Sequence, residues 1–238
     1  MMLHRSSLAM LVAAAAAACV AACSSPAPGT TAAGDGTGAG ATRDAGASPP
    51  SAAPVLRILP EVAHSGVDGT HTFRAPVGVY GARTASLVSS DPTVVTIEAA
   101  TLSDSVQDEG VYFMVTAKKP GTVTLTATSG GATVSSTFTV NAYTTQEYAA
   151  GEARYTTSST SGPACQSCHF EGGGIDHSPS TMASAGDRDV ISVVTTGVLV
   201  AGNPITEVKH KWAVTDAEAA GLVTYLRALT PRGFDGVK

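Results

Sequence analysis

The sequence predicts a multidomain chain, an all-β sandwich followed by an all-α domain, carried behind an exported leader and a structureless tether. Three observations predict it. From Val55 onward, short runs of Val, Ile, Thr and Phe alternate with period two and are broken by Gly, Pro and Asp, which is how half-buried strands are punctuated. From about Tyr143 the alternation gives way to helical spacing, with a capping box before the last apolar stripe. Ahead of Val55, Ala, Gly, Ser and Thr dominate. The divisions that follow are a leader over 1–22, a linker over 23–54, a sandwich over 55–142 and a helical domain over 143–238.

The leader "MMLHRSSLAMLVAAAAAACVAACSS" has a short cationic start at His4 and Arg5, an apolar run from Leu8 and small residues before a cysteine. That is an export signal rather than a spanning helix. Val20, Ala21 and Ala22 precede Cys23 as in a bacterial lipobox, so Cys23 is expected to be lipidated and to become the new N-terminus; Cys19 matches less well because Ala16 stands at the branched position. Acylation would anchor the chain to a membrane without crossing it. Ser24 follows the cysteine, where an inner-membrane retention signal would usually have Asp, which favours the outer membrane, facing periplasm or exterior. The segment from Ser24 to Pro54 cannot bury enough apolar surface to offset the entropy of ordering, and reads as a flexible tether.

Strands are expected over Val55–Leu59, Thr70–Arg74, Thr84–Ser89, Val94–Glu98, Val111–Ala117, Thr122–Thr128 and Thr133–Val140. Seven short strands with no helical period between them favour a sandwich. The stretch "AKKPGTVTLTATSGG", with "SSDPTVVTI" upstream, resembles bacterial Ig-like domains of surface proteins over most of Val55–Asn141. The resemblance implies a stalk or docking module. His64 and His71 have no third ligand or cysteine nearby and make a poor zinc site.

The chemistry lies in "GPACQSCHFEGGG". Cys165 and Cys168 are spaced as Cys-Gln-Ser-Cys and followed by His169. A zinc site would need further ligands, and no second cysteine pair exists. A thioredoxin-like dithiol belongs in a βαβ unit, and no parallel-sheet pattern surrounds this one. C-x-x-C-H is the attachment pattern of c-type haem: two thiols on one helical turn reach the vinyl groups of one porphyrin, and His169 is then held over the iron as proximal ligand. Export agrees with attachment outside the inner membrane.

Flanking helices are expected over Gln146–Tyr155, where Gly151 and Tyr155 share a face, over Gly186–Gly197, and over Thr215–Leu229. The last has Thr215 and Glu218 as capping box, an apolar stripe of Leu222, Tyr225, Leu226 and Leu229, and Pro231 as its stop. These motifs in this order resemble class I cytochrome c from about Tyr143 to Leu229. The resemblance implies one covalent haem c and electron exchange with redox partner proteins. It departs from the family in lacking a methionine just before the last helix, where His210 stands instead. His210 is therefore the expected distal ligand, with Met182 the alternative and His177 or an open position behind it. A Met ligand would raise the potential, and a second imidazole would leave it lower. Trp212 is expected to pack on the porphyrin edge, and Gly172–Gly174 to let backbone pass close to it.

The function expected is a membrane-anchored c-type electron carrier. The other readings are a surface adhesion or scaffold lipoprotein with an accessory or sensory haem, and a haem enzyme with an open distal position. No nucleophile–base–acid set is visible, and a net charge of −5 spread through the chain gives no nucleic-acid surface.

Overall fold

The computed structural model describes residues 55–236 apart from 105, 107, 161, 170–174 and 207–209. The leader, the tether, Cys23 with its proposed lipid, and Gly172–Gly174 lie outside the described residues.

Among the described residues there are eight strands: β1 (Arg57–Leu59), β2 (Val62–Val67), β3 (Arg74–Tyr80), β4 (Ser86–Ser89), β5 (Val95–Ala100), β6 (Val111–Ala117), β7 (Gly121–Ser129) and β8 (Ala132–Ala142). They pair into two four-stranded sheets, ordered β1-β3-β6-β5 and β2-β8-β7-β4. Every pairing is antiparallel except that of β2 with β8. Inward-facing residues of both sheets, among them Ile58, Val77, Val115, Leu125 and Phe138, make one apolar core, as in face-to-face sheets.

β2 and β3 are strands that the sequence pattern did not mark. β3 is buried at five consecutive positions rather than at alternate ones, and Pro76 and Gly78 within it look like turn signals. Pro76 is tolerated because β1 pairs only with Gly78–Tyr80, so the missing N–H falls beyond the short neighbour. The strand expected over Thr70–Arg74 is instead mostly a turn: Asp68 Oδ1 accepts from the N–H groups of Thr70 (2.9 Å) and His71 (2.7 Å), an alternative to ladder pairing.

Beyond the sandwich come α1 (Thr145–Thr156), α2 (Gln166–His169), α3 (Pro179–Met182), α4 (Asp187–Thr196) and α5 (Asp216–Ala228). α1 and α5 each open on a full capping box, Thr144 with Glu147 and Thr215 with Glu218. They cross where a glycine meets a glycine: a Cβ on Gly221 would lie 2.5 Å from Gly151 N, and one on Gly151 would overlap the Gly221 carbonyl and lie 2.8 Å from Tyr225 Cβ.

The expected all-α cytochrome c domain following the sandwich is not what the chain builds. The described chain is mostly β-sheet with few short helices, two of them a single turn. Nor do the helices stand apart. Ala183 belongs to the sandwich core and Ala228 packs against it; the His64 N–H donates to Ala183 O (2.8 Å). The C-terminal tail returns to the sheets, where Phe234 bridges Leu102 and its ring lies 5.5 Å from that of Tyr112. The physical reason is visible in α5, which buries Val223, Thr224 and Arg227 as well as its expected Leu222 and Leu226. A helix covered nearly all round needs a second layer, here the sandwich.

Arg227 and Asp187 centre that junction. The buried Arg227 guanidinium donates to Met182 O (2.8 Å), Ala185 O and Asp187 Oδ1 (3.1 Å). Asp187 Oδ2 accepts from Asn141 Nδ2 (2.7 Å) and Tyr143 OH (2.9 Å) at the end of the sandwich. Burial first, and the Asp187 carboxylate second, push the Tyr143 phenol up. Facing the same junction, His64 is pushed down by burial and by Arg227, against opposing pulls from Asp187 and Asp189.

A lowered imidazole means that below its ordinary value of 6.5 the unfolded chain takes up more protons at His64 than the folded chain. Stability contributed by neutral His64 is therefore present above that pH and lost as pH falls below it. In His64→Gln the decline of the urea midpoint below about pH 6.5 is expected to be shallower than in the unaltered chain. Parallel pH profiles in the two proteins would show the imidazole to be indifferent.

Candidate haem attachment site

The attachment loop is held from α1. Buried Arg154, in the last turn of α1, donates through Nη1 to Pro163 O (2.8 Å), and its Nε lies 3.9 Å from Glu218 Oε1 in the cap of α5. Gln166 Nε2 donates to Thr156 O (3.1 Å), and Ala164 N–H to Ser158 Oγ (3.3 Å). Gly162, at φ 141°, lies so close beneath Trp212 that a Cβ there would be 2.7 Å from the indole Cε3. Arg154 and Gln166 were not legible as site residues, because nothing in their spacing says that they anchor backbone carbonyls. Trp212, expected on the porphyrin edge, packs on this loop glycine.

Cys165 immediately precedes α2 and Cys168 lies in it, with the N–H groups of Cys168 and His169 both donating to Cys165 O at 3.2 Å. The two sulfurs thus sit on one helical turn, as the motif requires. Cys165 is a free thiol pushed up by burial and pulled back by Arg154. Cys168 is disulfide-bonded.

Three imidazoles meet beside this turn. The His177 ring stacks on that of His169 at 3.7 Å and 26°, and the His210 ring lies 5.9 Å from His169 at 89°. His169 Nδ1 is 3.2 Å from Ile175 O, and His210 Nδ1 is 3.3 Å from Val193 O. A carbonyl only accepts, so in both rings Nδ1 carries a proton and donates it there. That is how a metal-ligating histidine is oriented through its other nitrogen. Burial lowers His169, and His177 is pushed down to about 3 by burial and then by His169 and His210. Among the described residues the buried Nδ1 of His177 has no hydrogen-bond partner.

The position of His210 follows from the end of α4. Gly197 closes that helix in the left-handed region at φ 69°, and a Cβ there would overlap the His210 carbonyl. The Trp212 N–H donates to Val194 O (3.0 Å) and the Ile205 N–H to Gly197 O (2.8 Å), so the returning chain is laid along α4. Met182 ends α3 and packs, like Cys165, on the cluster of Tyr155, Val190, Leu222 and Leu226.

The donor set fits a c-type haem. Among the described residues no group of three or more His, Cys, Asp or Glu is arranged to hold a metal ion. A porphyrin supplies its own equatorial nitrogens and asks the chain for axial ligands and two thiols; His169, His210 and the free thiol of Cys165 are of these types, and Cys168 would join them once its disulfide is reduced. Two clefts, of about 520 and 440 Å³, lie elsewhere, one against Tyr143, Asp187 and Val223, the other between Tyr80, Tyr112 and Phe234. No described helix is long and apolar enough to cross a membrane.

No protein-family model matches the chain, and no curated protein does. Among solved structures, domains 4 and 5 of the S-layer protein SbsC are similar at 19% identity with a TM-score of 0.26. The match covers 37% of this chain and 53% of that one, so the chain spans about half the length of that structure. A likeness this slight does not establish a shared fold.

Proposed function

We propose that the protein is a membrane-anchored electron carrier with one covalently attached haem c. The observation that carries this reading is the pair His169 and His210, both oriented by backbone carbonyls through Nδ1, beside a Cys-x-x-Cys turn. When bound, the haem supplies a one-electron ferric/ferrous couple. Cys165 and Cys168 would hold the haem through thioethers, each made by addition of S–H across a vinyl group. Cys168 first needs two electrons and two protons from a dithiol reductant to release its disulfide. His169 and His210 would hold the haem iron, and Trp212 and Arg154 hold the loop. Cys23 provides the lipid anchor, and the sandwich both displays the site and supports its helices.

The test is the full chain matured in a host that attaches c-type haem. A pyridine haemochrome signal is expected, with a low-spin ferric spectrum that lacks the long-wavelength sulfur-to-iron band. His210→Ala is expected to turn the spectrum high-spin while the haemochrome signal persists. An unchanged spectrum would remove His210 from the iron, and the sulfur band would put Met182 in its place. Absence of covalent haem would overturn the reading altogether.

A further inference from the structure

The outer face of the β1-β3-β6-β5 sheet carries aromatic rings that belong neither to the sandwich core nor to the histidine cluster. Tyr80 and Tyr112 meet at 6.1 Å and 80°, and Tyr112 meets Phe234 at 5.5 Å and 65°. Two glycines let the tyrosines settle onto the backbone. A Cβ on Gly78 would lie 2.9 Å from Tyr80 Cε2 and 3.0 Å from Tyr112 Cε1, and one on Gly110 would lie 2.8 Å from Tyr112 Cε2. The phenol tips converge. Tyr80 OH is 2.5 Å from Tyr112 OH and donates to Asp108 Oδ2 (3.2 Å), while Asp108 Oδ1 accepts from the Gly110 N–H (2.9 Å). Burial is the main cause pushing both phenols up, so at neutral pH each keeps its proton and can donate as well as accept.

These rings wall the cleft of about 440 Å³ that α3 and the C-terminal tail bound on the other side through Pro179, Ser180 and Arg232. Its volume is that of a small-ligand site. The charges around it are balanced: Arg232 Nε lies 3.7 Å from Asp176, and the Arg57 guanidinium lies 5.3 Å from the centre of the Tyr80 ring whose phenol meets Asp108. Such a cleft does not select an ion. A wholly apolar occupant would cover the two phenols and the carboxylate without answering them, which is unfavourable. A ligand that offers C–H faces to the rings and hydroxyls to their tips satisfies both halves, and a sugar ring is built that way. We propose that this cleft binds a neutral oligosaccharide, its C–H faces against Tyr112 and Phe234 and its hydroxyls on the oxygens of Tyr80, Tyr112 and Asp108. The sandwich is then a binding module in its own right, and the site is independent of haem attachment.

The experiment titrates the full chain with two neutral trisaccharides, cellotriose and triacetylchitotriose, and with the acidic trigalacturonate, by calorimetry and saturation-transfer NMR. The neutral probes differ in their N-acetyl groups and so separate plain from N-acetylated glycans. Saturable binding of at least one of them is expected below about 10 mM. Tyr112→Ala is expected to weaken it about tenfold or more, and Tyr112→Phe, which keeps the ring, about fivefold. Gly110→Ala keeps the N–H that Asp108 accepts and displaces the Tyr112 ring. It precedes β6, so loss of affinity with an unchanged melting curve is expected, and it decides the matter if Tyr112→Ala fails to fold. No binding of either neutral probe overturns the proposal, as does binding that Gly110→Ala and Tyr112→Phe leave unchanged, or trigalacturonate bound as tightly. Decaproline bound in place of both sugars, and lost in Gly110→Ala, would overturn it in favour of a proline-rich peptide.

Discussion

Gly151→Leu is expected to lower stability by about 3 kcal/mol and, on the haem reading proposed above, to abolish covalent attachment, whereas Ala149→Leu two residues earlier is expected to stay within about 0.5 kcal/mol. Leucine is a good helix former, so propensity alone would make the first change favourable. Contact geometry decides otherwise. A Cβ at Gly151 runs into the backbone of α5 at Gly221, and backbone, unlike a side chain, cannot rotate away. The helices must then separate, which uncovers Leu222, Leu226 and Tyr155 and pulls Arg154 from Pro163 O. Ala149 is exposed on the opposite side of α1. Urea denaturation of the two variants, with haem content read on the same preparations, checks both halves. A Gly151→Leu chain that melts with the unaltered one would mean that α1 and α5 do not cross here.

That crossing was half legible in advance. The Gly151–Tyr155 spacing announces a face that admits close approach, but Gly221 carries no such flag, because a glycine inside a helix reads only as a weak point. Other features divide along similar lines. Local chemistry was readable: Thr215 with Glu218 as a capping box, Gly197 as the left-handed end of α4, and most strands of the antiparallel pairs all follow from short-range rules. What depends on a distant partner was not. β3 hides its strand because burial on both faces erases the alternation. Arg227 and Arg154 look in sequence like the solvated last-turn cations of amphipathic helices, and become buried donors only because carbonyls from Met182, Ala185 and Pro163 arrive from elsewhere. The expectation of a separate all-α domain failed for the same reason, since the stripe on α5 was visible but its second covered face was not. At the histidine cluster, residue types were legible and orientation was not: no spacing rule places Val193 O and Ile175 O against Nδ1 of two different rings.

Arg227→Met is expected to cost about 3 kcal/mol and to split unfolding into two transitions, the sandwich melting after the helices. The methionine keeps most of the apolar volume, so the loss comes from hydrogen bonds. Met182 O and Ala185 O lose their charged donor inside the junction, at about 1–3 kcal/mol for each buried group left unsatisfied. The Asp187 partner adds less, because its side chain is 32% exposed and water screens it. Arg227→Lys keeps the charge but supplies one donor position instead of a planar fork, so it is expected to recover little of the loss. Arg227→Met with Asp187→Asn removes the unpaired charge without restoring donors to the carbonyls, and is expected to remain near the single variant. The two transitions carry the structural point. In the unaltered chain Asn141 and Tyr143 at the end of the sandwich hold Asp187, Asp187 holds Arg227, and Arg227 holds the turn between α3 and α4, so this chain of polar contacts ties the helices to their second layer. Calorimetry and tyrosine fluorescence coinciding in one transition for Arg227→Met would mean that Ala183, Ala228 and the Phe234 tail couple the two parts without it.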